Sequence, residues 1–148
     1  MMDKFNEECA VVGVIGDTEA SNFCYLGLYA MQHSGQEGAG IVSSDNTNIY
    51  AHRDMGLVAD IFSENILKDL IGNKAIGHSR YATCGAKDWR NLQPLVAENS
   101  QNTFSIAHNG NLVNSEQVRQ KLEEKGAIFS TSSDTCLLYT SPSPRDRG

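Results

Sequence analysis

A chain of 148 residues that is 40% apolar, 7% aromatic and 20% charged is long enough to enclose a hydrophobic core as one domain, and its composition excludes a disordered or fibrous protein. Its formal net charge of −6 argues against nucleic acid or an anionic membrane as the main partner, and no apolar run approaches the ~20 residues of a membrane span. The polar opening, residues 1–8, is no signal peptide, and Cys9, Cys24, Cys84 and Cys136 form none of the close pairs that a zinc module or disulfide framework needs, so a reducing cytoplasm is expected.

In chain order, Cys9–Ile15 (CAVVGVI) is a short β-branched run that predicts a buried strand, ended by Gly16 and Asp17. Ser21–Gln32 predicts a helix with Phe23, Leu26 and Ala30 at helical spacing and Ser21 or Asn22 as its cap. His33–Gly40 reads as a glycine-punctuated loop, and Gly40–Ser43 with Ile49–His52 as a strand pair across the polar turn Ser44–Asn48. Ser63 caps a short helix through Leu70, and Lys74–Ser79 and Thr103–Ala107 are strands that each run into a polar motif. Asn114 with Gln117 forms a capping box for an amphipathic helix that stops at Gly126, and Ser132–Thr135 can cap another. The order is mixed α and β. The last stretch, Cys136–Gly148 (CLLYTSPSPRDRG), cannot continue a helix through its two Ser-Pro steps; it reads as a junction foreign to the gene, or else as a flexible tail.

Four places carry chemistry. Cys9 can be a small buried hydrophobe. If the chain is cut after Glu8, its own α-amine, with a pKa near ~8, becomes a base beside the thiol. Arg80, in His78-Ser79-Arg80-Tyr81-Ala82-Thr83, is either a surface ion-pairing residue or a planar clamp for a carboxylate. His108-Asn109-Gly110-Asn111 is a hairpin turn, or a side-chain amide and a glycine N–H forming an oxyanion hole. Asp134 is part of a helix cap or the acceptor of a substrate ammonium group. Together they suit an α-amino acid whose side-chain amide is attacked, and glutamine is such a substrate.

The strings EECAVVGVIG, LGLYAMQHSGQEGAGIV, GHSRYAT, NLQPL, AHNGNLVN and TSSDT, in this order and spacing, resemble the amidophosphoribosyltransferase family of class II glutamine amidotransferases from about Glu7 to Thr135. The resemblance implies an α+β N-terminal-nucleophile (Ntn) hydrolase fold, a four-layer αββα sandwich with two antiparallel sheets, here incomplete at its C-terminal side. It implies a propeptide at 1–8, an amidotransferase domain at 9–135 and the suspect tail at 136–148. It gives catalytic roles to Cys9, Asn109 and Gly110. It gives glutamine-binding roles to Arg80 (α-carboxylate), Asp134 (α-ammonium), Thr83 and His108, with 80–85 as the segment that closes over glutamine. Ammonia would pass to a C-terminal phosphoribosyltransferase domain, absent here, and there displace pyrophosphate from phosphoribosyl pyrophosphate with magnesium. No cofactor is implied for this domain. Some members carry an iron–sulfur cluster, for which no ligands are assigned here, and members are usually homo-oligomers. Ser34 stands where the family usually has arginine, and Ala10 where it usually has glycine. A glucosamine-6-phosphate synthase-like amidotransferase is the alternative, disfavoured by Tyr81 where that group has tryptophan. The other is an inactive fragment.

Overall fold

Small residues at sheet–helix contacts govern how this chain packs. The computed structural model describes residues 9–32, 36–81, 92–98 and 100–108, together with Gln117, Gln120, Lys121 and Glu124. The elements are β1 (Ala10–Ile15), α1 (Ala20–Ala30), β2 (Gln36–Ser44), β3 (Ile49–Met55), α2 (Val58–Ile61), α3 (Glu64–Asp69), β4 (Lys74–Tyr81), β5 (Leu95–Glu98) and β6 (Thr103–Ile106). The order β1-β4-β2-β3 makes an antiparallel sheet, and β5 with β6 makes a second, two-stranded one. This is the α+β class expected, with α1 on one face of the larger sheet and the β5–β6 side of the chain on the other.

The helix α1 sits close to the sheet because its contacts are small. A Cβ on Gly77 of β4 would stand 2.6 Å from Cys24 Sγ and 2.9 Å from Leu28 Cδ1, and one on Gly27 of α1 would stand 3.0 Å from Val12 Cγ1. The core therefore takes Ala20, Cys24 and Leu28 from the helix, Ala39 and Ile41 from β2, Ala75 from β4, and Val58, Ile61, Phe62 and Leu70 from the segments that close its edge. This corrects the expected helix face: Phe23 and Leu26 are 50% and 55% exposed, as the stripe turned inward is the small one. The expected cap is also corrected. Glu19 precedes the helix without a side-chain cap bond, and the Ser21 hydroxyl donates instead to the Leu70 carbonyl (2.7 Å), tying α1 to the end of α3.

Two further expectations change. β2 begins at Gln36, so part of the predicted glycine loop is strand; Gly38 and Gly40 are there because the Leu92 side chain and the Gln93 backbone lie on them, not to make a turn. β1 is not buried on both faces: Val12 and Val14 pack on the core, whereas Ile15 is 79% exposed, because the second sheet covers only part of the opposite face. The turn between β2 and β3 is as read. Asp45 accepts the N–H groups of Thr47 (2.9 Å) and Asn48 (2.7 Å), which hold its carboxyl below the ordinary range, and Asn46 takes a positive φ of 77°. The Ser63 hydroxyl accepts the Ile66 N–H and caps α3. α2 and β5 were not foreseen. Gln117, Gln120, Lys121 and Glu124 are helical, within the span of the predicted capping-box helix.

Candidate active site

β4 carries the site. In an antiparallel ladder, directly opposed residues point to the same face. Ala10 is opposite Ser79 and Val11 opposite His78. One step further along the same register, Cys9 falls beside Arg80, on the face that Val11 and His78 share and away from α1. Across β2, His78 is opposite Gly40 and Arg80 opposite Gly38. The thiol-bearing end of β1 and the arginine of β4 are thus neighbours by backbone pairing, and Cys9 is partly exposed. Cys24, by contrast, is buried on the sheet-facing side of α1, and burial pushes its thiol up to about 12. It is protonated and shielded, hence no nucleophile.

Arg80 is steered by Glu37. The register between β2 and β4 shifts at Gln36/Gly38, a bulge that leaves Glu37 unpaired with β4. Its carboxylate lies 3.8 Å from Arg80 Nε, with the two side chains only 9% and 18% exposed. Neither Glu37 oxygen has a hydrogen-bond partner among the described residues, so Arg80 is the charge that stabilises it there. Glu37 sits in a stretch that reads as a glycine loop, and nothing local in the sequence marks its carboxylate as a partner for Arg80.

The floor of the site is the segment before β5. A Cβ at Gly38 would meet Leu92 Cδ2 at 2.5 Å, and one at Gly40 would meet the Gln93 carbonyl oxygen at 2.3 Å. Leu92 and Gln93 therefore rest directly on β2. Arg53 of β3, opposite Gly40, donates from Nη1 to the Leu92 carbonyl (2.9 Å). The Gln93 side chain is buried, and its amide oxygen accepts the backbone N–H of His108 at 2.6 Å. His78, 2% exposed, lies beneath the same strand end. Burial is the main reason its imidazole pKa drops from 6.5 to about 4; the charges at Arg80 and His108 push the same way. The nearby His108 carbonyl opposes the drop, though neither ring nitrogen of His78 has hydrogen-bond geometry to a partner among the described residues. His78 is neutral at physiological pH.

Of the residues singled out in the sequence, Cys9, Arg80 and His108 are therefore described, and they gather around one end of the β1–β4–β2 face. Asn109, Gly110, Thr83 and Asp134 lie outside the described residues, as do residues 1–8 and 136–148. A cleft of about 450 Å³ opens at the other end of the sheet, lined by Gly13, Ile15, Val42, Ile76 and Thr103 among others. None of Cys9, Arg80 and His108 borders it. Among the described residues no three His, Cys, Asp or Glu side chains group as metal ligands, and no helix is long and apolar enough to cross a membrane.

The class is that of the glutamine amidotransferase domains. The family model of the glutamine amidotransferase domain matches residues 60–141, more than half of the chain, and the chain belongs to that family. Within it, the chain is similar to the amidophosphoribosyltransferases. Amidophosphoribosyltransferase 3, chloroplastic, of Arabidopsis thaliana is 52% identical over 92% of this chain and 26% of its own length. The amidophosphoribosyltransferase of Bacillus subtilis (strain 168) is 48% identical over 90% of this chain and 28% of its own. The solved structure of "the allosteric regulatory enzyme of purine biosynthesis" superposes with a TM-score of 0.82 at 47% identity, covering 87% of this chain and 28% of that one. The chain thus spans about a quarter of the length of these relatives. These structural neighbours have the Ntn hydrolase fold, which agrees with the two antiparallel sheets and helices seen here.

Proposed function

We propose that this chain is the glutamine-hydrolysing part of an amidophosphoribosyltransferase, with Cys9 as its nucleophile. The observation that carries the reading is the pairing of β1 with β4, which sets Cys9 beside Arg80 on one face. Cleavage after Glu8 frees the Cys9 α-amine. The amine takes the thiol proton as sulfur attacks the side-chain carbonyl carbon of glutamine. Arg80, its guanidinium turned by Glu37, grips the substrate α-carboxylate with the fork geometry that arginine offers, and Asp134 receives the α-ammonium. Thr83 and His108 line the bound substrate. Negative charge builds on the amide oxygen, where the Asn109 side chain and the Gly110 N–H meet it. The tetrahedral species collapses as the amine returns its proton to the leaving nitrogen. Ammonia departs, a glutamyl thioester remains, and water releases glutamate and the thiol.

The names of the relatives support the second half of the proposal: ammonia displaces pyrophosphate from phosphoribosyl pyrophosphate in a phosphoribosyltransferase domain outside this chain, giving 5-phosphoribosylamine, the first step of purine synthesis. Magnesium belongs to that step, and no residue of this chain is assigned to it or to an iron–sulfur cluster. We read the whole enzyme as a cytoplasmic homo-oligomer.

The test is glutamate release from glutamine by the 148-residue chain and by its Cys9→Ala variant, with the N-terminus of each read by mass spectrometry. The wild-type chain should start at Cys9 and hydrolyse glutamine, and the variant should bind glutamine without hydrolysing it. Hydrolysis by Cys9→Ala, or full activity with residues 1–8 still attached, refutes the mechanism.

A further inference from the structure

Gln93 is a polar residue in a place where burial is costly without a bond. It is 8% exposed, and its Oε1 takes the N–H of His108, fifteen residues on, at 2.6 Å. The acceptor is itself held. Its backbone rests on Gly40, and Arg53 fixes the preceding Leu92 carbonyl at 2.9 Å. The His108 carbonyl lies near the buried ring of His78 but makes no hydrogen bond to it, so the Gln93 bond is what holds this residue. The Gln93 side chain thus fixes the peptide N–H just past β6, and the next two residues in the chain are Asn109 and Gly110.

We propose that Gln93 is a positioning residue for oxyanion stabilisation: its amide oxygen, by fixing the His108 N–H, sets the direction in which the chain leaves β6 toward Asn109 and Gly110. This rests on the glutaminase reading above. The physical case is one of leverage. Oxyanion donors act only when placed where charge develops, and displacements of about 1 Å cost on the order of 10²-fold in rate. Asn109 and Gly110 follow His108 directly in the chain, so a bond that fixes the His108 peptide acts at the point from which both donors are carried. Gln93 itself need not touch glutamine, and its loss acts on the chemical step more than on substrate capture by Arg80.

The experiment compares the full chain with its Gln93→Leu and Gln93→Glu variants. Leucine keeps the approximate volume and removes the acceptor; glutamate keeps an acceptor oxygen. Glutamate release and the hydrogen exchange of the His108 amide are both measured. Gln93→Leu should lower kcat on the order of 10²-fold with KM changed by less than about threefold, and the His108 amide should exchange faster. Gln93→Glu should restore most of the rate and the amide protection. If Gln93→Leu does not fold, Gln93→Asn, which withdraws the acceptor by one methylene, takes its place with the same expectation. Wild-type kcat in the acceptor-free variant, an unchanged His108 exchange rate, or equal losses in both variants overturns the inference. A wild-type chain that releases no glutamate sinks the glutaminase reading first and this inference with it, whereas an active wild type with an indifferent Gln93→Leu sinks the inference alone.

Discussion

His78 makes the stability of this fold depend on pH in a predictable direction. Its ring is 2% exposed, and its pKa falls from 6.5 to about 4 on folding. The folded state keeps the ring neutral, whereas the unfolded chain accepts a proton as pH drops below 6.5. A depressed histidine pKa therefore contributes no penalty above about pH 6.5 and an increasing one from there down to about 4, below which the cost is complete. The full drop corresponds to about 3 kcal/mol, of which about 2 kcal/mol develops between about pH 7 and pH 5. With a urea dependence of roughly 1–3 kcal/mol per molar, that moves the unfolding midpoint by about 1 M. The assay is urea unfolding of the wild-type chain and of His78→Gln at both pH values. Other groups titrate in both proteins, so the informative quantity is the difference between them. It should shift by about 2 kcal/mol in favour of the variant on acidification. A difference that stays constant from pH 7 to pH 5 would show that His78 is hydrated or hydrogen-bonded in its charged form, and the reasoning would fail.

Two further outcomes follow from packing. In the native chain, iodoacetamide should modify Cys9 and leave Cys24 untouched, because Cys24 is fully buried with its thiol pushed up to about 12; peptide mapping checks this, and labelling of Cys24 at the rate of Cys9 would contradict the burial. Gly40→Ala should destabilise the chain by about 1–3 kcal/mol, since the new methyl would stand 2.3 Å from the Gln93 carbonyl oxygen, and thermal unfolding would read the loss.

The sequence announced most strands because β-branched runs ended by polar turns leave little choice: β1, β4 and β6 lie within about two residues of where composition puts them. It misplaced what depends on partners. Phe23 and Leu26 have the spacing of a buried face, yet the buried face is Ala20–Cys24–Leu28, since Gly77 and Gly27 invite a close approach that large side chains would block. The glycines of β2 look like turn residues until Leu92 and Gln93 are seen lying on them. In the site, Cys9 and Arg80 were recognisable as residue types, but not as neighbours, because their proximity arises from pairing between strands 60-odd residues apart. Glu37 and Gln93 were invisible for the same reason. Each acts on a partner far along the chain, and nothing in local composition marks a carboxylate or an amide for such a task.

The β1–β4 ladder works as a ruler with single-residue graduations. Because side chains alternate sides at every step, inserting or deleting one residue inside either strand would send the sulfur and the guanidinium to opposite sides of the sheet. Changes of length are better absorbed in exposed turns such as Asp45–Asn48 than within the measured segments. The same scale starts at Ala10. Every graduation thus lies after Glu8, so the cut proposed above would leave the β1–β4 alignment intact.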